Sequence, residues 1–309
     1  TYIKNRKARI TRATENYPIF LFDHQDWKKI YQPLNPEKQY RFSYVGNKPK
    51  DYINGLHQLQ NAYEDFRNKQ MREDPESREQ EKEIEKLPEA LCSGDRDSLN
   101  VAGFGYQVLW MNSETARLSE IQYKSIMKCV ETLYILPDID TTGIRSAIRL
   151  GLQYLDIRFI WLPESLREYK DNRGKTRKDL RDYVELYPER KDFQKLINVA
   201  MPLRFWDEVT KEEGKRYYFN DEHALFFLNA NGFGRIEYKN TKGKSIFVQI
   251  EDNVVHEVEP EEIKDYVLDF MEKRYLPIPL RNVVRKPNQL SEATLKGLKK
   301  LKLDFTDYD

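Results

Sequence analysis

The sequence predicts an α/β protein built around a parallel sheet flanked by helices. Three observations carry this. From residue 89 to about 185, short apolar runs alternate with longer stretches of helical period, the rhythm of parallel strands joined by helical crossovers. The flanking regions have other rhythms: aromatic–polar alternation before residue 60, and a helix, a hairpin and an amphipathic helix after about 200. The 309 residues are 39% hydrophobic and 33% charged, which suits several cores under a charged surface. The expected division is a mixed α/β subdomain with a charged helical linker (1–88), the parallel α/β domain (89–198), a small α+β domain (199–280) and a basic tail or connector (281–309).

Each element has its own signal. PIFLFD and QYRFSYVGN read as short strands, separated by Pro33 and Pro36. LHQLQNAYEDFRNKQM has apolar residues at helical spacing, and REDPESREQEKEIEKL after it reads as a solvated helix face broken near Pro75. EALCSG is a strand, RDSLNVAGFG a helix ending in a Gly-rich turn, QVLWMN a strand and SEIQYKSIMKCVE a helix. TLYILPD, TGIRSAIRLGLQYL and DIRFIWLP continue as strand, helix and strand. NRGKTRKDLRDYVELYPERKDFQKLI is polar and basic, helical in its second half. DEHALFFLNANGFGRIEY is a helix stopped at Asn231-Gly232, then a strand. SIFVQIEDNVVHEV is a hairpin turning at Glu251-Asp252-Asn253, and EPEEIKDYVLDFMEKRYL is an amphipathic helix with acids in its first turn. Arg281 to Lys302 holds seven Lys/Arg against one Glu, and reads either as a basic nucleic-acid helix or as a connector.

Composition narrows the function classes. Net charge is +1, so a nucleic-acid site has to be a local patch. Cys92 and Cys129 lack metal-ligand spacing and read as buried thiols of a reducing, cytoplasmic setting. The four histidines are scattered, so no zinc finger is encoded. No apolar run approaches the roughly 20 residues that span a bilayer, so no membrane partner is expected. No GxxxxGK[ST] occurs, which excludes ATP hydrolysis by a P-loop. The chain starts at Thr1 and is expected to be part of something longer.

The candidate chemistry centres on PDIDTTG. In a strand, residues two apart share a side and lie about 6.6 Å apart, so Asp138 and Asp140 can reach one point where the third strand runs out. Paired hard carboxylates suit Mg²⁺ or Mn²⁺, and such a metal can hold phosphate groups. The same aspartates also read as turn-forming and helix-capping residues.

Upstream, EALCSGDRDSLNVAGFGYQVLWMNSETA orders strand, Gly, Asp, helix, turn and strand. With PDIDTTG and RKDLRD, this block resembles the TOPRIM domain of DnaG-type primases, topoisomerases and related nucleases. That family ends its first strand in Glu-Gly-x-x-Asp and a later one in Asp-x-Asp-x-x-Gly. Here Gly94 and Asp97 match the first motif, Asp138, Asp140 and Gly143 the second, and Asp179 the closing Lys-Asp segment. The resemblance covers 89–183 and implies a TOPRIM-like parallel sheet with Asp97, Asp138 and Asp140 at a catalytic, metal-holding site. Ser93 stands where the family has its Glu, and a serine cannot act as a carboxylate. Glu114, at the carboxyl end of the second strand, is the candidate replacement as catalytic and metal-ligating acid. It reads equally as a helix-capping acid after Ser113.

The segment from PIFLFD to NGLHQL loosely resembles the subdomain that precedes TOPRIM in DnaG-type primases. That implies phosphate contacts at Arg41, Lys48 and Lys50, to which Arg96, Arg145 and Lys178 beside the motifs are added. Tyr40, Phe42 and Tyr44 can stack on bases, but alternation assigns them to the core face. The region after 220 looks like the segment before the helicase in primase–helicase proteins of phages and mobile elements. The leading expectation is a primase-like core that binds single-stranded DNA template and ribonucleoside triphosphates, joins nucleotides with Mg²⁺ or Mn²⁺, and works with a helicase in cis or in trans. The alternatives are a catalytically degenerate TOPRIM scaffold, supported by Ser93, and a TOPRIM nuclease.

Overall fold

The computed structural model describes residues 2–4, 7–9, 12–24, 26–49, 52–73, 86–93, 97–111, 117–237 and 245–301. The chain divides into two compact units, 1–52 and 53–309.

In the first unit, β1 (Tyr2–Lys4) and β2 (Lys7–Arg9) pair antiparallel. A three-stranded antiparallel sheet follows, with β4 (Trp27–Tyr31) between β3 (Phe20–Asp23) and β5 (Phe42–Gly46). Register aligns Phe20, Tyr31 and Phe42, then Phe22, Lys29 and Tyr44, so one face carries two rows of these side chains. Trp27 is buried under His24, stacked at 3.9 Å, and Tyr52, edge-on at 4.9 Å. Gly46 lets β5 end there: its φ is +92°, and a Cβ would meet the Asp26 carbonyl oxygen at 2.3 Å. Alternation assigned Phe42 and Tyr44 to a core face. They remain 44% and 41% exposed on the edge strand, while Trp27 and Lys29 of β4, on the same face, are buried.

The second unit starts at an edge. Asn54 exchanges backbone hydrogen bonds with Trp110 at 3.1 Å in both directions. Gly55, with φ +83°, turns the chain so close to Val108 that a Cβ would lie 2.1 Å from its carbonyl oxygen. α1 (Leu56–Glu73) follows and buries Leu59. Most of the charged stretch after it lies outside the described residues.

The expected alternation then appears: β6 (Leu87–Ser93), α2 (Asp97–Gly103), β7 (Val108–Trp110), α3 (Glu120–Met127), β8 (Val130–Ile135), α4 (Thr141–Gln153) and β9 (Arg158–Phe159). The sheet runs β10-β9-β8-β6-β7, with β10 (Met201–Pro202) antiparallel at one edge and the other pairings parallel. Ser119 starts α3 with a capping box to Gln122. β9 is shorter than DIRFIWLP suggested. Ile160 still donates to Ile135 O at 2.9 Å, but Pro163 leads into a 3-10 turn over Glu164–Glu168.

Both faces of this sheet are packed, as parallel strands require. Leu133 and Ile135 of β8 join one core with Ile157, Phe159 and Leu203. Leu136 and Ile139, just past β8, join a second with Ile160, Leu180 and Phe193, the last two from α5 (Leu180–Leu186) and α6 (Arg190–Asn198). α4 lies tightly on the first face: a Cβ at Gly151 would sit 2.2 Å from the Phe159 ring.

Beyond the sheet come the hairpin β11 (Trp206–Lys211) and β12 (Gly214–Phe219), then α7 (Asp221–Ala230) and the antiparallel β13 (Phe233–Glu237), β14 (Ser245–Glu251) and β15 (Val254–Glu257). The expected hairpin turn is present. Asp252 and Asn253 both have left-handed φ, 50° and 66°, as a tight two-residue hairpin turn needs. α8 (Pro260–Lys273) carries Glu261 and Glu262 in its first turn. The core of Leu133 and Phe159 continues into Phe227, Val267 and Met271, so residues 199–280 share an interior with the parallel sheet.

The expected basic tail is a packed segment over its described length. α9 (Ile278–Val284) and α10 (Glu292–Leu295) bury Leu280, Val284 and Leu295, and Leu290 and Leu298 are buried between and after them. Arg235 of β13 receives the chain, with Leu301 N donating to its carbonyl at 2.8 Å. Apolar residues spaced through the basic run drive this packing.

Candidate active site

β8 ends at Ile135, and the chain passes buried Leu136 and Ile139 before entering α4. These two apolar side chains anchor the connection on the second core, leaving Asp138 and Asp140 between and after them. Asp140 is the N-cap of α4, and its Oδ1 accepts from Gly143 N–H at 2.9 Å. Gly143 is required for a steric reason. A Cβ there would lie 2.4 Å from the Asp138 carbonyl oxygen.

Lys178 arrives from a distant loop. Ile139 N–H donates to the Lys178 carbonyl at 2.9 Å, and Lys178 N–H to Asp182 Oδ2 at 2.8 Å. The ammonium then bridges both acids, 2.9 Å from Asp138 Oδ2 and 2.5 Å from Asp140 Oδ2. Asp140 therefore divides its oxygens, one to the helix and one to the cation. Burial pushes its carboxyl up, but the Gly143 N–H, the Lys178 hydrogen bond and the ammonium charge outweigh this and hold it below the usual range. Burial works against the Lys178 ammonium too, and the two carboxylates more than offset it, raising its pKa.

Residues 177–182 tie the motifs together. Asp179 caps α5 in a reciprocal box with Asp182. Arg181 N–H donates to Asp97 Oδ1 at 3.2 Å, and Asp97 is buried at the start of α2. Arg177 is buried and pairs with Glu185 at 2.7 Å. One turn thus contacts the aspartates after β8 through Lys178 and the acid of α2 through Arg181.

The other candidates are placed as follows. Ser93 is the last residue of β6, opposite Trp110. Arg145 is exposed on α4. Arg41 and Lys48 belong to the first unit: Arg41 Nε donates to Asn35 O at 3.0 Å, and Lys48 Nζ lies 4.1 Å from the Tyr44 ring centroid. Gly94, Arg96, Glu114 and Lys50 lie outside the described residues. Sequence reasoning chose Lys178 for phosphate contact and missed its bridge to the two acids. The signal was a lysine before a capping aspartate, but its partners stand about 40 residues away.

Magnesium and manganese ask for hard oxygen donors and keep several waters. Asp138 and Asp140 offer two such carboxylates, and the ammonium bound to both marks where positive charge is held. The pair fits a two-carboxylate cation site. Among the described residues, no group of three or more His, Cys, Asp or Glu converges on a metal position. Also among them, no helix is long and apolar enough to cross a membrane.

No family model and no curated protein matches the chain. Solved structures of DnaG-type primase catalytic cores are similar to it. A DNA primase domain from Pseudomonas aeruginosa is 15% identical over 83% of this chain and 61% of that one, with a TM-score of 0.45. The E. coli primase catalytic core is 12% identical over 92% and 72%, with a TM-score of 0.47. The zinc-binding and RNA polymerase domains of the Aquifex aeolicus primase are 14% identical over 84% and 50%, with a TM-score of 0.43. The chain spans 61% of the Pseudomonas structure's length.

Proposed function

We propose that the chain is a DNA primase-like core of TOPRIM type. It binds single-stranded template and ribonucleoside triphosphates and joins nucleotides by metal-dependent phosphoryl transfer. The observation that carries this reading is the pair Asp138 and Asp140, at the carboxyl side of a central parallel strand and bridged by one cation. Ligands of open α/β sheets gather at that edge. The Asp-x-Asp-x-x-Gly match adds to it, since Gly143 meets a packing requirement there.

Asp138 and Asp140 would hold Mg²⁺ or Mn²⁺, which when bound offsets triphosphate charge and helps align an attacking hydroxyl. The protein's part is positioning. The Gly143 hydrogen bond fixes the Asp140 carboxylate, and buried Leu136 and Ile139 fix the loop that carries both acids. Lys178 and exposed Arg145 offer positive charge for phosphates nearby on the chain's own elements. A helicase in cis or in trans would be the working partner, in the cytoplasm.

A second reading keeps the fold and drops the chemistry. Ser93 in place of the family's Glu, and an ammonium already satisfying both aspartates, favour a TOPRIM scaffold that binds nucleic acid only. Incubation with single-stranded template and labelled ribonucleotides, with Mg²⁺ and Mn²⁺ in turn, separates the readings. Products lost in Asp138→Asn and Asp140→Asn support the primase-like core. Binding without synthesis, unchanged in those variants, supports the scaffold, and template cleavage supports a nuclease. Gain of synthesis in Ser93→Glu would identify the missing acid as the limiting part.

A further inference from the structure

The hairpin β11–β12 is held on one side. Trp206, Tyr217 and Phe219 set one of its faces on the main core, and β12 lies against α9. Residues 207–211 of β11 are all exposed, and among the described residues β12 is the only strand paired with it. β11 is therefore an edge strand of six residues, with neither a proline nor a bulge to blunt it.

The ladder decides which of its backbone groups face outward. Asn220 N–H donates to the Phe205 carbonyl at 3.0 Å, so Phe205 turns its backbone groups toward β12. Alternate residues of a strand turn theirs to opposite sides. Asp207, Val209 and Lys211 therefore point N–H and C=O at β12, and Glu208 and Thr210 point them outward. Among the described residues, no backbone hydrogen bond from elsewhere in the chain reaches Glu208 or Thr210. Such a row of donors and acceptors accepts another strand.

The charges select that strand and its register. Pairing β11 with a second copy of itself about a two-fold axis has to match outward groups with outward groups, so the axis passes through a residue. An axis at Asp207 sets Asp207 on Asp207, and one at Glu208 sets Glu208 on Glu208. An axis at Thr210 sets Glu208 on Glu212, and one at Lys211 sets Lys211 on Lys211. An axis at Val209 sets Asp207 on Lys211 twice, with Glu208 opposite Thr210. Opposite charges directly across strands stabilise a pair, and like charges destabilise it. Charges on an edge commonly discourage pairing; here they discourage every alignment except one. In that alignment Asp207 and Lys211 take the non-hydrogen-bonded positions, where side chains approach most closely. Val209, 44% exposed, meets its own copy on the axis.

We infer that β11 pairs antiparallel with β11 of a second copy of this chain, centred on Val209, and joins the two hairpins into one four-stranded sheet. The inference is independent of the primase-like reading. A contact of one strand from each copy falls below the roughly 1,200 Å² of a standard interface, so the dimer is of the weak, transient class.

Sedimentation velocity of the full chain at rising concentration should show monomer passing to dimer. Asp207→Lys alone, or Lys211→Asp alone, sets like charges across both symmetric positions and should raise the dissociation constant roughly 10- to 100-fold. An equimolar mixture of these two variants should associate again, because the strand with two lysines then faces the strand with two aspartates. Misfolding of either variant cannot produce that rescue. Thr210→Pro removes an outward N–H that the monomer does not use, and should abolish the dimer. Val209→Cys should form a reducible cross-link, since non-hydrogen-bonded partners lie about 4.5 Å apart at Cα. Thr210→Cys should not, because its copies are offset along the strands. A wild-type chain that stays monomeric at every concentration overturns the pairing and leaves the edge to an extended segment of another protein. Single charge variants that associate like the wild type, or a mixture that stays monomeric, also overturn it. Equal cross-linking of the two cysteine variants overturns the register.

Discussion

Replacing Lys178 with methionine should expose what the ammonium contributes to the acid pair. The change removes two charge-assisted hydrogen bonds and leaves Asp138 and Asp140 facing each other without that cation. Sheltered bonds to charged groups contribute about 1.5–3 kcal/mol each. The Lys178 side chain is 42% exposed and that of Asp140 36%, so solvent screening brings each bond nearer the exposed-pair range of up to about 1 kcal/mol. A total loss of about 1–2 kcal/mol follows, and the melting temperature should fall by about 2–8 °C. Mn²⁺ should reverse the loss. At ten times its dissociation constant, a bound ion adds about 1.4 kcal/mol, and in Lys178→Met it need not compete with an ammonium. Thermal melts of both proteins with and without Mn²⁺ read this directly. The variant should start lower and gain more from metal than the wild type. Equal melting of the two proteins, with no extra metal gain in the variant, would refute the reasoning.

Four other outcomes follow from the same geometry. Gly143→Ala should lower stability by about 1–3 kcal/mol, measured by urea unfolding, because its Cβ meets the Asp138 carbonyl. Asp140→Ala should lose about 1 kcal/mol more than Asp140→Asn, since asparagine still caps α4, while both lose the Lys178 charge pair. Gly55→Ala combines a left-handed φ with a backbone clash against Val108, and should speed exchange of the amide hydrogens that join residue 54 to Trp110. Burial pushes the His223 imidazole down, against the opposing effect of its hydrogen bond to the Arg204 carbonyl. The folded state thus binds a proton less readily than the unfolded chain. That contribution is complete above about pH 6.5 and declines as pH falls toward the folded pKa, so His223→Gln should flatten stability against pH below 6.5.

The elements visible in sequence were those whose signal is local. β8 and α4 are marked by an apolar run, a capping aspartate and a helical apolar stripe, and they fold as that pattern asks. The turn at Asp252-Asn253 was legible because those residue types tolerate left-handed φ. The hairpin β11–β12 was not, because nearly all of its residues after Trp206 are exposed or only half-buried and no apolar alternation marks it. The basic count of 281–302 masked four leucines and valines, Val284, Leu290, Leu295 and Leu298, that fill the core. The rings of β5 were misassigned because alternation gives the side a residue points to and not its depth: the face that buries Trp27 and Lys29 on the central strand leaves Phe42 and Tyr44 exposed on the edge strand. Within the site, Asp138, Asp140 and Gly143 could be selected from one short motif. The Lys178 bridge could not, since its partners meet only when α5 docks beside the end of β8.

Mn²⁺ binding to the intact chain, followed by the loss of the free-ion paramagnetic resonance signal, tests the central claim most directly. One site per chain should be titrated in the wild type, tighter in Lys178→Met and absent in Asp138→Asn with Asp140→Asn. Binding that survives removal of both carboxylates, or no binding even without the lysine, would contradict a metal site at the end of β8.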